Sequence, residues 1–232
     1  ILGMEVFDRV VVELKYADGK VLFHAPAAFA DRGTGEALPI DDLGRVNTLI
    51  NGKTLLSVMF DTGSGGAINL APATVLREGL APPPERRLGT VVSGVGGQTA
   101  AFQGLLESVQ LGQLTIPAVV AIFHEGEAGA LAGDDGISVI GNQLLQRFTV
   151  TFDFPRRQVL LEPGPWFSKP FPYNRSGLKL KPGAEMIVET IRGAPDPAGI
   201  QVGDQVVSVM TEKGWTPERT TCLLYTSDAA DE

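Results

Sequence analysis

Short apolar runs, many of them alternating with polar residues and each broken by glycine, proline or an Asx residue, dominate this chain and predict strands rather than long helices. Val46–Ile50 leads through Asn51-Gly52, a type I′ turn signal, into Leu55-Leu56-Ser57-Val58-Met59-Phe60, a buried strand that stops at Asp61-Thr62-Gly63-Ser64-Gly65. Ala67–Leu70 predicts another short strand, and Pro72–Glu78 a short helix with proline in its first turn. Thr90–Ser93, Gly94-Val95-Gly96-Gly97 and Gln98–Gln103 form a hairpin pattern with a glycine-rich tip. Leu105–Leu111 and Leu114–Phe123 continue as strands around Gly112-Gln113, and His124–Asp135 is an acidic, glycine-rich loop. Ile137–Ile140 is a buried strand, Gly141 permits a tight passage, and Asn142–Arg147 makes a short helix. Ala81–Arg87 is a proline-rich exposed loop.

The pattern also repeats. Residues Ile1–Phe29 align without gaps on Val139–Phe167 at a constant offset of 138, with identities at Gly3/Gly141, Arg9/Arg147, Val12/Val150, Val21/Val159, Leu22/Leu160 and Phe29/Phe167. Each copy reads as an apolar pair, a glycine, a helical turn and two strands around a turn, Ala17-Asp18-Gly19 in the first and Pro155-Arg156-Arg157 in the second. On this reading 1–29 is the tail of a first lobe whose beginning lies upstream of Ile1, so the chain is expected to be a fragment. Residues 30–45 lack periodicity and read as a linker, 46–167 as a second lobe, 168–219 as a further small domain, and 220–232 as a non-native tail without continuity with what precedes it. In the small domain, Gly177-Leu178-Lys179-Leu180 is followed by expected strands at Met186–Ile191 and Val206–Met210, with a turn at Arg192–Pro195.

Composition narrows the chemistry. A net charge of -8 leaves no basic stripe for phosphates, which argues against a nucleic-acid partner. No apolar run reaches bilayer length. Cys222 is the only cysteine, and His24 and His124 are the only histidines, so a zinc cluster or a Ser-His-Asp triad is disfavoured. Catalysis, if present, falls to carboxylates. A carboxylate at the end of an apolar strand is costly unless hydrogen bonds compensate its desolvation. Around Asp61, Thr62 and Ser64 carry hydroxyls, and Gly63 and Gly65 let backbone N–H groups approach.

Phe60-Asp61-Thr62-Gly63-Ser64, then a glycine-tipped hairpin, then Val139-Ile140-Gly141, resembles the retropepsin-like aspartic proteases, more closely the bacterial members with two tandem lobes and a C-terminal PDZ domain. Ala194-Pro195 to Val209 is similar to the core of PDZ domains, although Asp196-Pro197 stands where a tighter small-residue turn is more usual. The resemblance implies a mostly β fold, a retropepsin-like β-barrel lobe followed by a truncated PDZ-like domain. It implies an aspartic endopeptidase acting on extended polypeptides without a cofactor, in an exported or envelope-associated bacterial protein.

In that family two close carboxylates share a proton and titrate as a pair. Asp61 would be one of them, Gly63 would offer its N–H to the carboxylate, Thr62 would brace the lobes, and Ser64 would hydrogen-bond the outer oxygen. Gly94, Val95, Gly96 and Gly97 would form the flap. No second Asp-Thr/Ser-Gly occurs in the chain. The other acid is therefore expected from the first lobe or from a second copy, the former being favoured by the repeat. Two other readings compete: a non-catalytic peptide-binding scaffold using the PDZ-like domain, and a carboxylate-containing binding protein without hydrolysis.

Overall fold

A computed structural model describes residues 4–30, 35–94, 97–125, 136–173, 176–181, 185–191, 199–211 and 214–216. In chain order the elements are α1 (Met4–Phe7), β1 (Val11–Lys15), β2 (Lys20–His24), β3 (Glu36–Pro39), β4 (Arg45–Ile50), β5 (Thr54–Phe60), β6 (Ile68–Leu70), α2 (Pro72–Glu78), β7 (Leu88–Gly94), β8 (Gly97–Leu111), β9 (Leu114–His124), β10 (Ser138–Ile140) and α3 (Asn142–Leu145). There follow β11 (Phe148–Asp153), β12 (Gln158–Pro163), β13 (Leu178–Lys181), β14 (Met186–Ile191), β15 (Gln205–Val206), β16 (Val209–Thr211) and β17 (Gly214–Thr216). These fall into two compact units, one drawn from residues up to 81 and from 90 to 171, the other from 82–89 and from 172 onward.

The first unit holds two sheets. One runs β4-β5-β10-β6-β9-β8-β7 and closes on itself, because β4 also pairs with β8 through Leu49↔Gln110 and Ile50↔Val109. Alternation explains the barrel core: Val46, Thr48 and Ile50 of β4 and Leu56 and Val58 of β5 point inward, while Leu55 points out. The β4–β5 hairpin turns at Asn51 and Gly52, both at positive φ, with Lys53 N–H donating to the Ile50 carbonyl at 3.0 Å, as a type I′ turn requires. Strand β10 lies parallel to β5 and antiparallel to β6, so Ile140 sits between Phe60 and Ile68 at the heart of the sheet.

The other sheet runs β2-β1-β11-β12-β3 and contains both copies of the sequence repeat. Helix, strand, single 3-10 turn and strand recur at the offset of 138: Met4–Phe7 with Asn142–Leu145, Tyr16–Asp18 with Phe154–Arg156, and Lys20 with Gln158. Gly19 and Arg157 close the two turns in the same left-handed conformation, at φ 62° and 55°. Strands β1 and β11 pair antiparallel with Glu13 opposite Thr151, which are themselves equivalent residues. A local two-fold axis therefore passes between them. The buried Glu13 carboxylate is met by Lys15 Nζ at 3.2 Å and His24 Nε2 at 2.8 Å, so its desolvation is offset.

The copies differ in cover. Val159 and Leu161 are fully buried, whereas their equivalents Val21 and Phe23 are 53% and 52% exposed on the edge strand. Arg147, buried with no carboxylate partner among the described residues, donates to the carbonyls of Trp166, Phe167 and Lys169 and lies 3.6 Å from the Phe171 ring centre, which ties down the segment ending this unit.

The second unit carries a three-stranded antiparallel sheet, β13-β14-β15, and the β16–β17 hairpin. Leu178, Leu180 and Val188 form its small core, with Met186, Ile191, Ile200 and Val206 against it. The Gly203-Asp204 turn is fixed by Gln201 N–H donating to Asp204 Oδ2 at 2.8 Å and Val188 N–H to the Asp204 carbonyl at 2.8 Å.

Three sequence expectations need correction. Part of the expected linker, Glu36–Pro39, is an edge strand paired with β12, with only Leu38 buried, too brief a pattern to stand out. The single strand expected over Val206–Met210 is two short strands broken at 207–208. The proline-rich stretch groups with the second unit, where the Tyr173 hydroxyl donates to the Arg86 carbonyl at 3.4 Å. The Arg192–Pro195 turn, Asp196-Pro197 and the 220–232 tail lie outside the described residues.

Because the copies are covered so unequally, the same substitution should cost differently in each. Val159→Ala is expected to lower unfolding free energy by about 2 kcal/mol, and Val21→Ala by no more than about 0.5 kcal/mol, measured by urea denaturation of this chain.

Candidate functional site

The site begins where β5 ends. Phe60 is still paired to Ile140, and Asp61 N–H donates to the Ile140 carbonyl at 2.9 Å, so the acid leaves the sheet at a fixed point. The chain then turns back: Gly63 N–H donates to Asp61 Oδ1 at 2.8 Å, and Ser64 N–H to the Asp61 carbonyl at 3.1 Å. The carboxylate thus has a backbone donor supplied by its own turn.

That turn is held from behind by the chain leaving β10. Gly141 N–H donates to the Ala67 carbonyl at 3.0 Å, Asn142 N–H to the Ser64 carbonyl at 2.8 Å, and Gln143 N–H to the Gly66 carbonyl at 3.1 Å. Residue 141 must be glycine for packing reasons. A Cβ there would stand 2.5 Å from the Gly66 carbonyl oxygen, 2.7 Å from that of Ser64 and 2.8 Å from Ser64 Oγ.

Two side-chain chains reach the turn from opposite directions. Asn142 Nδ2 donates to the Thr62 carbonyl at 2.6 Å, and Tyr16, from the first copy of the repeat, donates its hydroxyl to Asn142 Oδ1 at 2.7 Å. On the barrel side Asn69 Nδ2 donates to Ser64 Oγ at 2.9 Å, and His124 Nε2 faces Asn69 Oδ1 at 3.2 Å. Asn69 is buried, and Gly66 gives it room, since a Cβ at 66 would lie 3.1 Å from Nδ2. Burial pushes the Tyr16 hydroxyl up to about 12 and the His124 imidazole down.

Asp61, Thr62 and Gly63 line a mostly apolar cavity of about 760 Å³, whose other walls include Leu14, Tyr16 and Phe152. Among the described residues Asp61 is the only acid that lines it, and Lys15 and Lys20 line it too. Of the expected flap, Gly94 ends β7 and Gly97 begins β8; both are exposed and do not line this cavity, while Val95 and Gly96 lie outside the described residues. Among the described residues no group of three or more His, Cys, Asp or Glu side chains is placed to hold a metal ion, and no helix is long and apolar enough to cross a membrane. Tyr16, Asn69, His124 and Asn142 were not singled out by the sequence as site residues. Apart from Ser64, which bonds Asn69 from five residues away, their partners lie far away in the chain and leave no local signature.

Two outcomes are expected. Gly141→Ala, which forces a methyl group against two backbone carbonyls, should destabilise the chain by about 3 kcal/mol, measured by denaturant unfolding. Tyr16, raised in the folded state from an ordinary 10.0, contributes stability that is full below pH 10 and lost as pH rises through about 12. That alkaline loss should be absent in Tyr16→Phe, measured by unfolding across pH 9 to 12 with tyrosinate absorbance as the second probe.

No curated protein matches the chain. Among solved structures, the chain is similar to a retropepsin-like aspartic protease from Rickettsia conorii, at 21% identity and a TM-score of 0.41, over 54% of this chain and 97% of that one. It is also similar to EIAV protease complexed with the inhibitor HBY-793, at 21% identity and a TM-score of 0.33, over 51% of this chain and 92% of that one. Residues 46–144, the stretch that holds both Asp61 and the Gly141 crossing behind it, match the family model described as aspartyl protease.

Proposed function

We propose that this chain is an aspartic endopeptidase segment in which Asp61 is one of two carboxylates that hydrolyse a peptide bond. The observation that carries this reading is Asp61 itself, at a strand end on a cavity wall, its Oδ1 held by Gly63 N–H in a turn braced from behind by residues 140–143, within the stretch that matches aspartyl proteases. One carboxylate of the pair takes a proton from water as its oxygen attacks the carbonyl carbon, and the other, protonated, gives its proton to the carbonyl oxygen. The resulting diol collapses as the C–N bond breaks: the carboxyl that took the water proton gives it to the leaving nitrogen, and the other, now ionised, takes a proton from a diol hydroxyl, which restores the pair. Thr62 braces the lobes and Ser64 hydrogen-bonds the outer carboxylate oxygen. The Gly94-Val95-Gly96-Gly97 tip closes over an extended polypeptide and excludes water.

The second acid comes from a first lobe of which residues 1–29 are the end. The local two-fold between β1 and β11 supports this, as does the bare face at Val21 and Phe23, whose equivalents in the second copy are covered. A second copy of this chain is the other source. The C-terminal unit acts as a PDZ-like module that docks protein termini by strand addition, and the whole protein works in the bacterial envelope or outside the cell.

In the intact protein, with both carboxylates present, cleavage of an unstructured polypeptide should be lost in Asp61→Asn by about a thousandfold or more in kcat/KM, with thermal stability unchanged within a few degrees; this chain by itself is expected to be inactive unless it dimerises. Undiminished cleavage by Asp61→Asn overturns the proposal.

A further inference from the structure

We propose that His124 is a positioning residue for Asp61, acting through Asn69 and Ser64. The inference rests on the reading above only in taking Asp61 as the acid that is served. Its grounds are three side chains in a row. His124 lies at the end of β9, Asn69 in the middle of β6 and Ser64 in the turn after Asp61, with contacts of 3.2 Å and 2.9 Å linking them. Asn69 is buried, so its amide has little access to water and depends on these partners.

The direction of the row follows from what each atom can do. Asn69 Nδ2 only donates, so Ser64 Oγ accepts from it and keeps its own proton for another acceptor. Asn69 Oδ1 only accepts, so His124 Nε2 carries the proton that faces it. Burial keeps the ring neutral to lower pH than a free histidine, and the neutral ring is then the tautomer protonated on Nε2. Ser64 gives its backbone N–H to the Asp61 carbonyl and Gly63 its N–H to Asp61 Oδ1, so the residue that Asn69 holds belongs to the turn that carries the acid. With the other tautomer the amide turns over, its oxygen faces Ser64, and the hydroxyl becomes the donor to Asn69. The imidazole therefore sets which way the Ser64 proton points.

The test uses this chain with isotope labelling. Nitrogen NMR of His124 at neutral pH should show a protonated Nε2 and a bare Nδ1. In His124→Ala, amide exchange at Gly63 and Ser64 should speed up about tenfold, while Ile68 and Val139 in the neighbouring strands stay within twofold of the parent. His124→Gln, which supplies an N–H donor in place of the ring, should restore the slow exchange. On a Ser64→Ala background, His124→Ala should add nothing further. A ring protonated on Nδ1, or unchanged exchange at Ser64 in His124→Ala, overturns the inference. Exchange that accelerates equally in all strands also overturns it, because that is the mark of a merely structural residue. None of these readouts needs cleavage, so a chain that hydrolyses nothing defeats the proposed function and leaves this inference to be decided by the spectra.

Discussion

Two stretches of backbone cross at van der Waals distance, and the site exists because nothing stands between them. The turn after β5 presents the carbonyls of Ser64, Gly66 and Ala67, and the chain leaving β10 answers with the N–H groups of Asn142, Gln143 and Gly141. Each would be a desolvated, unpaired group without the other. Because the crossing residue has no side chain, the distance closes to hydrogen-bonding range. The aspartate is positioned by main chain anchored in the barrel core, where Ile140 lies between Phe60 and Ile68. Side chains refine that position, with Asn142 and Tyr16 on one side and Asn69 and His124 on the other.

Much of the architecture could be read from local pattern because it is dictated locally. Asn51-Gly52 supplies two residues that tolerate positive φ, and Pro72 starts α2 while Gly79 ends it in the left-handed conformation. The repeat was legible since a helix, a strand, a tight turn and a strand each leave their own period, and the copies share those periods at one offset. Edge strand β3 was not legible: it buries one leucine, and its pairing with β12 is contributed by a segment more than a hundred residues away.

The site divides the same way. Asp61-Thr62-Gly63-Ser64 and Gly141 announce themselves, one by an acid at the end of an apolar strand and the other by a glycine between a strand and a helix. What orients them does not. Tyr16 reads as an ordinary turn aromatic, Asn69 as a polar interruption in a three-residue strand, and His124 as the start of a loop. Their roles come from closure of the barrel, which brings β6 and β9 side by side, and from docking of the two repeats.

The axis between β1 and β11 carries a consequence of its own. Residues directly opposite each other in an antiparallel pair hold their Cβ atoms about 5 Å apart, close enough for like charges to repel. Were the two strands identical, a glutamate at this place would confront its own twin in a dry interior. Here one side has a carboxylate and the other a threonine hydroxyl, so the charge is present once and is met by Lys15 and His24. Joining both copies in one polypeptide frees each side of an axis to mutate alone, and thereby admits a single buried ion where perfect symmetry would demand two.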